Sequence, residues 1–174
     1  MAKKKTKTKK GGFNLNLRAL VLIVVGLAIF GLAFVPATKM VFETLLKGQQ
    51  VVSTNFYSLI GEAFKEGASA EYLIMGISSL LTLICAGLCV VLGVLWMFNI
   101  LNNQSSLIAL ILYAVMFVSL ITYLICFFVW KGNMNTLEIG GFTITKDTPI
   151  STFVYFLLGV NVAGAVGHLL LRNK

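Results

Sequence analysis

Residues 72–130 read YLIMGISSLLTLICAGLCVVLGVLWMFNILNNQSSLIALILYAVMFVSLITYLICFFVW and contain no Asp, Glu, Lys or Arg. About 20 consecutive apolar residues span a bilayer as a helix, and a charged side chain at mid-membrane is costly. The stretch is long enough for two such spans, because the polar run NILNNQSS at 99–106 divides it near its middle. It therefore predicts a pair of transmembrane helices joined by a tight turn.

Two further uncharged runs flank this stretch, and the whole chain is 58% hydrophobic and only 11% charged. That composition leaves too little polar surface for a soluble globule. We predict an all-α integral membrane protein, a four-transmembrane-helix bundle that forms a single domain over residues 19–171. The predicted helices are at about residues 19–38, 72–98, 107–130 and 150–171.

The distribution of charge predicts the orientation of the chain. Nine of the 14 Lys and Arg residues lie in the two ends, 1–18 and 172–174, and all six acidic residues lie in segments 39–71 and 131–149. Because Lys and Arg concentrate on the cytoplasmic side, we expect both ends in the cytoplasm and both segments outside, with the cell membrane as the expected location. The first helix is expected to be retained, since its apolar run is longer than that of a signal peptide.

The first outer segment contains a helical pattern. Its apolar residues recur at helical spacing at Val52, Phe56, Leu59, Ile60 and Ala63. Ser53 offers an N-cap and Gly67 a stop. The segment therefore predicts a short amphipathic helix that lies on the outer leaflet or against the bundle.

The second outer segment contains a hairpin pattern. Gly140 and Gly141 separate two runs in which apolar and polar residues alternate. A two-residue turn there pairs apolar with apolar and polar with polar residues. The predicted pairs are Ile139 with Phe142, Leu137 with Ile144, Glu138 with Thr143, and Thr136 with Thr145. We expect a small outer β-hairpin that packs on the helices, because two strands alone are marginal in water.

Small residues predict how the helices pack. In lipid, helices gain little from hiding leucine, so close contact between small residues and buried hydrogen bonds must hold them together. The second predicted helix carries such residues on one face at Ser78, Thr82, Ala86 and Gly93, beside Cys85 and Cys89, and the fourth carries them at Gly159, Ala163 and Gly167. Shorter lines occur on the first helix at Ala19, Gly26, Ala33 and Ala37 and on the third at Ser119, Thr122 and Cys126. We interpret these faces as packing surfaces, with a polar seam along a ligand or ion path as the alternative.

Asn161 and His168 are the candidate polar seam of the fourth helix, on the side opposite its small residues. A mid-membrane amide must find a partner, so Asn161 is expected to bond a Ser or Thr of the second or third helix, or a partner protein. His168 is expected to be hydrated near the inner interface. A proton relay would require a carboxylate within reach, and no predicted span contains one.

The N-terminal tail predicts a lipid contact. Its six lysines are Lys3, Lys4, Lys5, Lys7, Lys9 and Lys10. Each basic residue near an anionic leaflet contributes about 1 kcal/mol, so the tail is expected to bind anionic head groups and to fix the orientation of the first helix. Docking on an acidic partner is the alternative. A nucleic-acid partner is not expected, because the basic residues form a tail rather than a folded face with aromatics.

Enzymatic activity is the function that the sequence supports least. It contains no paired carboxylates, no metal-spaced His, Cys and Asp set, no nucleophile beside a base and no Gly-rich phosphate loop, so no catalytic residue, metal or cofactor is expected. Cys85 and Cys89 share a helix face, but a bilayer interior disfavours the thiolates that ligation requires. We expect a structural or accessory subunit of a larger membrane assembly, or a complex with itself. The alternative is a small oligomeric channel or carrier that uses a polar seam around Asn161.

Overall fold

The computed structural model describes residues 16–44, 48–98, 100, 105–134, 138–139, 142–143 and 152–172. Most of these residues are helical. The elements in chain order are α1 (Leu17–Leu32), β1 (Thr38–Thr44), β2 (Gly48–Thr54), α2 (Phe56–Ala63), α3 (Ala70–Met97), α4 (Ser105–Met134), β3 (Glu138–Ile139), β4 (Phe142–Thr143) and α5 (Thr152–Arg172).

Three helices of the described residues are long and apolar enough to cross a membrane: α3, α4 and α5. This finding supports a helical protein that associates with a membrane. The apolar helix α1 has 16 residues, which at about 1.5 Å per residue is shorter than a hydrocarbon core of about 30 Å. The predicted count of four spans therefore stays a prediction.

Helix α1 ends at Leu32, six residues before the predicted end, and Pro36 explains the difference. A proline ring clashes with the carbonyl four residues earlier, here that of Leu32, and also pushes the preceding residue out of the helical region. The chain leaves the helix through a tighter turn, in which the Val35 N–H donates to the Leu32 carbonyl at 2.9 Å.

The three long helices and α1 form a closed ring of neighbours, because α1 and α4 each pack against both α3 and α5. The start of α1 and the end of α5 lie at the same end of this ring. There the Arg18 Nε donates to the Leu171 carbonyl at 2.6 Å, which satisfies one of the carbonyls that a helix C-terminus leaves without a partner. At the start of α1, Asn16 is the N-cap, and its side chain accepts from the Arg18 and Ala19 amides.

The predicted amphipathic helix is present as α2, but it begins later than expected. Asn55 rather than Ser53 is its N-cap, and its side chain accepts from the Ser58 amide at 2.8 Å while the Ser58 hydroxyl accepts from the Asn55 amide. Helix α2 packs on α3, where Gly76 lies so close to Ala63 that a Cβ on Gly76 would collide with it. Phe56 is fully buried, with its ring centroid 5.0 Å from that of Tyr123.

Before α2 lies a hairpin that the sequence analysis did not predict. β1 pairs with β2 antiparallel over seven residues, from Thr38 opposite Thr54 to Thr44 opposite Gly48. Val52, assigned above to the amphipathic helix, lies in β2 opposite Met40. The helical pattern thus extended too far towards the N-terminus.

The strands β3 and β4 pair antiparallel, with Glu138 opposite Thr143 and Ile139 opposite Phe142. These two pairs have the register that the alternation predicts. The other two predicted pairs lie outside the described residues. The location of this hairpin on the outer side stays a prediction.

Candidate functional site

The polar face of α5 points into the helical core. Asn161 is 1% exposed and His168 is fully buried, and Gly164 between them is also buried. A polar side chain that faced lipid would have no hydrogen-bond partner, so turning this face inward is strongly favoured. The two candidate polar residues therefore share one buried site, which we call the polar cluster: Ser106, Tyr113, Asn161 and His168.

Asn161 joins α5 to α4. Its Nδ2 donates to the backbone carbonyl oxygen of Tyr113 at 3.1 Å. A carbonyl oxygen has two lone pairs, so this bond adds to the helical bonding of α4 rather than replacing it. The partner is thus on the third long helix, as the sequence suggested, but it is a backbone carbonyl instead of a Ser or Thr hydroxyl.

His168 joins the same two helices seven residues further along α5. Its Nε2 lies 3.1 Å from the Ser106 hydroxyl, and the tautomer of the ring decides which group donates. The ring centroid is 5.6 Å from that of Trp96 on α3 and 6.3 Å from that of Tyr113. The expectation of a hydrated interfacial histidine is wrong, because the ring is enclosed by three side chains and has no exposed surface.

Gly164 provides the space for Tyr113. A Cβ on Gly164 would lie 2.9 Å from the Tyr113 Cε1, 3.1 Å from its hydroxyl oxygen and 2.8 Å from the Val25 Cγ2. All three distances are shorter than ordinary contacts, so a side chain at this position would displace the tyrosine ring. The small residue on the polar face of α5 is therefore part of the polar cluster.

Two polar atoms of the cluster have no hydrogen-bond partner among the described residues: the Tyr113 hydroxyl and the Asn161 Oδ1. The Tyr123 hydroxyl, which lies near α2, has none there either. Buried polar groups are normally paired with protein or with ordered water. These three hydroxyl and amide oxygens are therefore exceptions to that rule among the described residues.

The predicted small face of α3 is buried: Ser78, Thr82, Ala86 and Gly93. It packs closely on α1 at two levels. A Cβ on Gly93 would lie 2.9 Å from the Ala19 carbonyl oxygen, and a Cβ on Gly26 would lie 2.7 Å from the Ala86 carbonyl oxygen. Small residues thus allow the two backbones to approach each other, as is typical of helices in lipid.

The same face of α3 also bonds to α4. The Ser119 hydroxyl donates to the Ser78 carbonyl at 2.7 Å, and the Thr82 hydroxyl donates to the same oxygen at 2.9 Å. One carbonyl of α3 therefore accepts from both helices. This arrangement satisfies two buried hydroxyls without any charged group.

The predicted small face of α5 points the other way. Gly159 and Ala163 are exposed, and a Cβ on Gly159 would meet no described atom within 4 Å. Gly167 is half-buried, and a Cβ there would lie 3.9 Å from the Val21 Cγ1 of α1. The expectation that this face packs within the bundle is therefore not met at Gly159 and Ala163, because the polar face of the same helix occupies the interior.

The remaining candidates contribute no reactive centre among the described residues. Cys85 and Cys89 are buried and Cys126 is partly buried, all as free thiols. No group of three or more His, Cys, Asp and Glu in that part of the chain has metal-binding geometry. The six lysines of the N-terminal tail, Lys3, Lys4, Lys5, Lys7, Lys9 and Lys10, lie outside the described residues.

At the other end of the ring, side-chain hydrogen bonds connect α2 with α1 and α3, and α4 with α3. The Tyr57 hydroxyl donates to the Phe30 carbonyl at 3.3 Å, near the C-terminus of α1, and the Tyr72 hydroxyl donates to a Glu62 carboxylate oxygen at 3.0 Å. Partial burial raises the pKa of the Tyr57 hydroxyl above its ordinary value. The Asn133 Nδ2 donates to the Glu71 Oε1 at 3.0 Å and thereby joins α4 to α3.

Sequence reasoning missed Ser106 and Tyr113, and only Ser106 offers a side-chain signal. Ser106 and Tyr113 are seven residues apart on α4, and Asn161 and His168 are seven apart on α5. The Ser106 hydroxyl meets His168, but Asn161 donates to the backbone carbonyl of Tyr113, a group that every residue of α4 offers. The side-chain pattern of α4 therefore carries a signal for the Ser106 contact and none for the Tyr113 contact.

No protein-family model matches this chain, and no curated protein matches it either.

Proposed function

We propose that this chain is a non-enzymatic integral membrane protein that serves as a structural or accessory subunit of a larger membrane protein assembly. It crosses the membrane as a bundle of four helices with both ends in the cytoplasm. One observation carries the proposal: the small residues Gly159 and Ala163 lie on the exposed face of α5. Such residues allow a second helix to approach closely, and close packing is a main source of helix association in lipid.

The proposed fourth span is α1. The helix packs against α3 from Ala19, near Gly93, to Gly26, near Ala86. Ala33 and Ala37, beyond its C-terminus, are also buried. Helix α1 has 16 residues, and together with the turn that follows it at residues 33–37 it reaches most of the way across a hydrocarbon core of about 30 Å. The Arg18 contact with Leu171 supports the same side for both chain ends.

The test is a pull-down in mild detergent through a C-terminal tag, followed by native mass measurement. Ala163→Leu places a branched side chain on the small face, and Val166→Leu is the matched control because Val166 is 48% exposed and already large. We expect a stoichiometric partner that the wild type and Val166→Leu retain and Ala163→Leu loses. A wild-type chain that elutes alone, or a partner that all three retain, would contradict the proposal.

A second candidate function is a small oligomeric channel or carrier. The observation that favours it is the pair of polar atoms without a described partner, the Tyr113 hydroxyl and the Asn161 Oδ1. Because four helices rarely enclose a wide path, this function requires self-association. The test is solute flux into proteoliposomes. Asn161→Leu should abolish flux while Val162→Leu, one residue away on the exposed side, should leave it unchanged. Equal flux in both variants would remove this candidate.

The proposed partner of the N-terminal tail is an anionic lipid surface. Replacing all six lysines with glutamine removes about 1 kcal/mol per residue of attraction. A peptide of residues 1–15 should therefore bind phosphatidylserine vesicles at low salt, and the glutamine version should not. Equal binding of both peptides, or binding that salt does not weaken, would contradict this assignment.

A further inference from the structure

The hairpin of β1 and β2 has two open edges. It is a two-stranded sheet, and no other described strand joins it. Each edge strand presents a row of unpaired backbone N–H and C=O groups, which is a template for pairing with another chain. Two strands are also marginal on their own, so a hairpin of seven residue pairs gains stability from further strands.

The sequence of β1 is self-complementary about its central residue, Val41. Lys39 and Glu43 occupy the positions two residues before and two residues after Val41 in the strand. If two copies of β1 pair antiparallel about Val41, Lys39 of each copy lies opposite Glu43 of the other. Met40 then lies opposite Phe42, and Thr38 opposite Thr44.

We propose that two copies of this chain associate edge to edge through β1, centred on Val41, so that the two hairpins form a four-stranded antiparallel sheet. Opposite charges in directly opposed positions favour this register, and a shift of one residue would place Lys39 opposite Phe42. The partner is a second copy of this chain, because both of the matched charges come from the same strand.

The β2 edge offers no equivalent match. Pairing of two β2 strands about Val51 would place Gln49 opposite Ser53 and Gln50 opposite Val52, with no charged residue in the strand. Charge therefore distinguishes the two edges. The β1 edge specifies a partner and a register, whereas the β2 edge specifies neither.

Two-fold symmetry is compatible with insertion in one membrane. Two copies inserted in the same direction are related by a two-fold axis along the membrane normal, and such an axis reverses a strand that runs parallel to the membrane plane, as β1 would in the proposed dimer. Antiparallel pairing requires that reversal. This surface is separate from the exposed face of α5, so its test is independent of the proposed function.

The first test is disulfide cross-linking of the full-length chain in lipid vesicles. Directly opposed residues in an antiparallel pair have Cα atoms about 4.5–5.5 Å apart, within the range of a disulfide. Val41→Cys should therefore form a covalent dimer under mild oxidation. The control is Val51→Cys, because Val51 is the partner of Val41 within the hairpin and would be three strand spacings, about 14 Å, from its copy. Wild type, which keeps Cys85, Cys89 and Cys126, gives the background.

The second test reverses the charges in the Val41→Cys background. Lys39→Glu alone or Glu43→Lys alone places like charges opposite each other at both positions, so each should reduce the cross-linked fraction roughly tenfold. The double variant Lys39→Glu with Glu43→Lys restores opposite charges and should recover the cross-linked fraction of Val41→Cys alone. Recovery by the double variant also shows that neither substitution acts by preventing folding.

Several results would overturn the proposal. Cross-linking of Val51→Cys in preference to Val41→Cys would place the interface at β2. Equal cross-linking of both, or of neither, would show that no specific edge pairs. A cross-linked fraction that the single charge reversals leave unchanged would rule out the register centred on Val41.

Discussion

Helices α3 and α5 carry the same kind of small-residue face, but the structure places them oppositely. On α3 the face is buried, and Gly93 and Ala86 lie against the backbone of α1. On α5, Gly159 and Ala163 are exposed. A small-residue pattern therefore indicates that a helix can be approached closely, but it does not say whether the approaching helix belongs to the same chain.

The difference has a physical cause in the opposite face of each helix. Opposite its small residues α3 presents large apolar side chains such as Ile84 and Leu88, which lipid accommodates at no cost. Opposite its small residues α5 presents Asn161 and His168, which lipid cannot satisfy. Exposing Gly and Ala to lipid costs little in comparison. The polar residues thus decide the rotation of α5 about its axis.

The largest expected effect comes from the same substitution on both faces, Gly93→Ala and Gly159→Ala. At Gly93 the new methyl group would lie 2.9 Å from the Ala19 carbonyl, so α1 would have to shift, and the chain should lose about 1–3 kcal/mol of stability. At Gly159 it would meet no described atom, so stability should be unchanged or rise by up to about 1 kcal/mol through helix propensity. Unfolding by sodium dodecyl sulfate in mixed micelles measures both.

A smaller effect should come from the bond between Ser106 and His168, which fixes the buried face of α5. A double-mutant cycle with Ser106→Ala and His168→Ala isolates it, and interhelical hydrogen bonds in membranes are worth about 0.6 kcal/mol on average and up to about 1.7. We expect a coupling free energy in that range. The matched control cycle pairs Ser106→Ala with Ser119→Ala, which bonds elsewhere and should show no coupling. Additive effects of Ser106→Ala and His168→Ala would contradict the geometry.

The smallest effect on stability should come from Arg18, whose side chain at the start of α1 hydrogen-bonds to the end of α5. Arg18→Ala removes the donor to the Leu171 carbonyl and should cost up to about 1 kcal/mol, because the site is only partly buried. Arg18→Lys keeps the charge and a donor and should retain part of that stability. Thermal unfolding in detergent gives the ranking. If the wild type and Arg18→Lys are equally stable, the contact with Leu171 contributes nothing beyond charge.

Hydropathy was sufficient to predict the long helices, because their apolar runs are unbroken over more than the length of a span. Hydropathy did not predict where the helices begin and end, because single residues set those positions. Pro36 ends α1 early, and Asn55 rather than Ser53 starts α2. The hairpin of β1 and β2 was missed because Val41 and Val51 interrupt the alternation of apolar and polar residues that marks a strand.

The polar cluster was predicted only in part. Asn161 and His168 were identified because an amide and an imidazole are rare at that depth, whereas Tyr113 and Ser106 are ordinary residues of an apolar helix. The burial of His168 was also not expected, since the sequence places it only four residues before Arg172. The contacts with Ser106 and Trp96 come from other helices and could not be read from α5 alone.

The sequence by itself determined that this chain forms long apolar helices and which of their faces are small or polar, because these are local properties of consecutive residues. Only the tertiary structure decided which face of α5 is buried, that α1 packs on α3 through Gly26 and Gly93, and that Ser106 meets His168. Those outcomes depend on competition among helices for the interior. A hydrogen bond gained there outweighs a small residue left facing lipid.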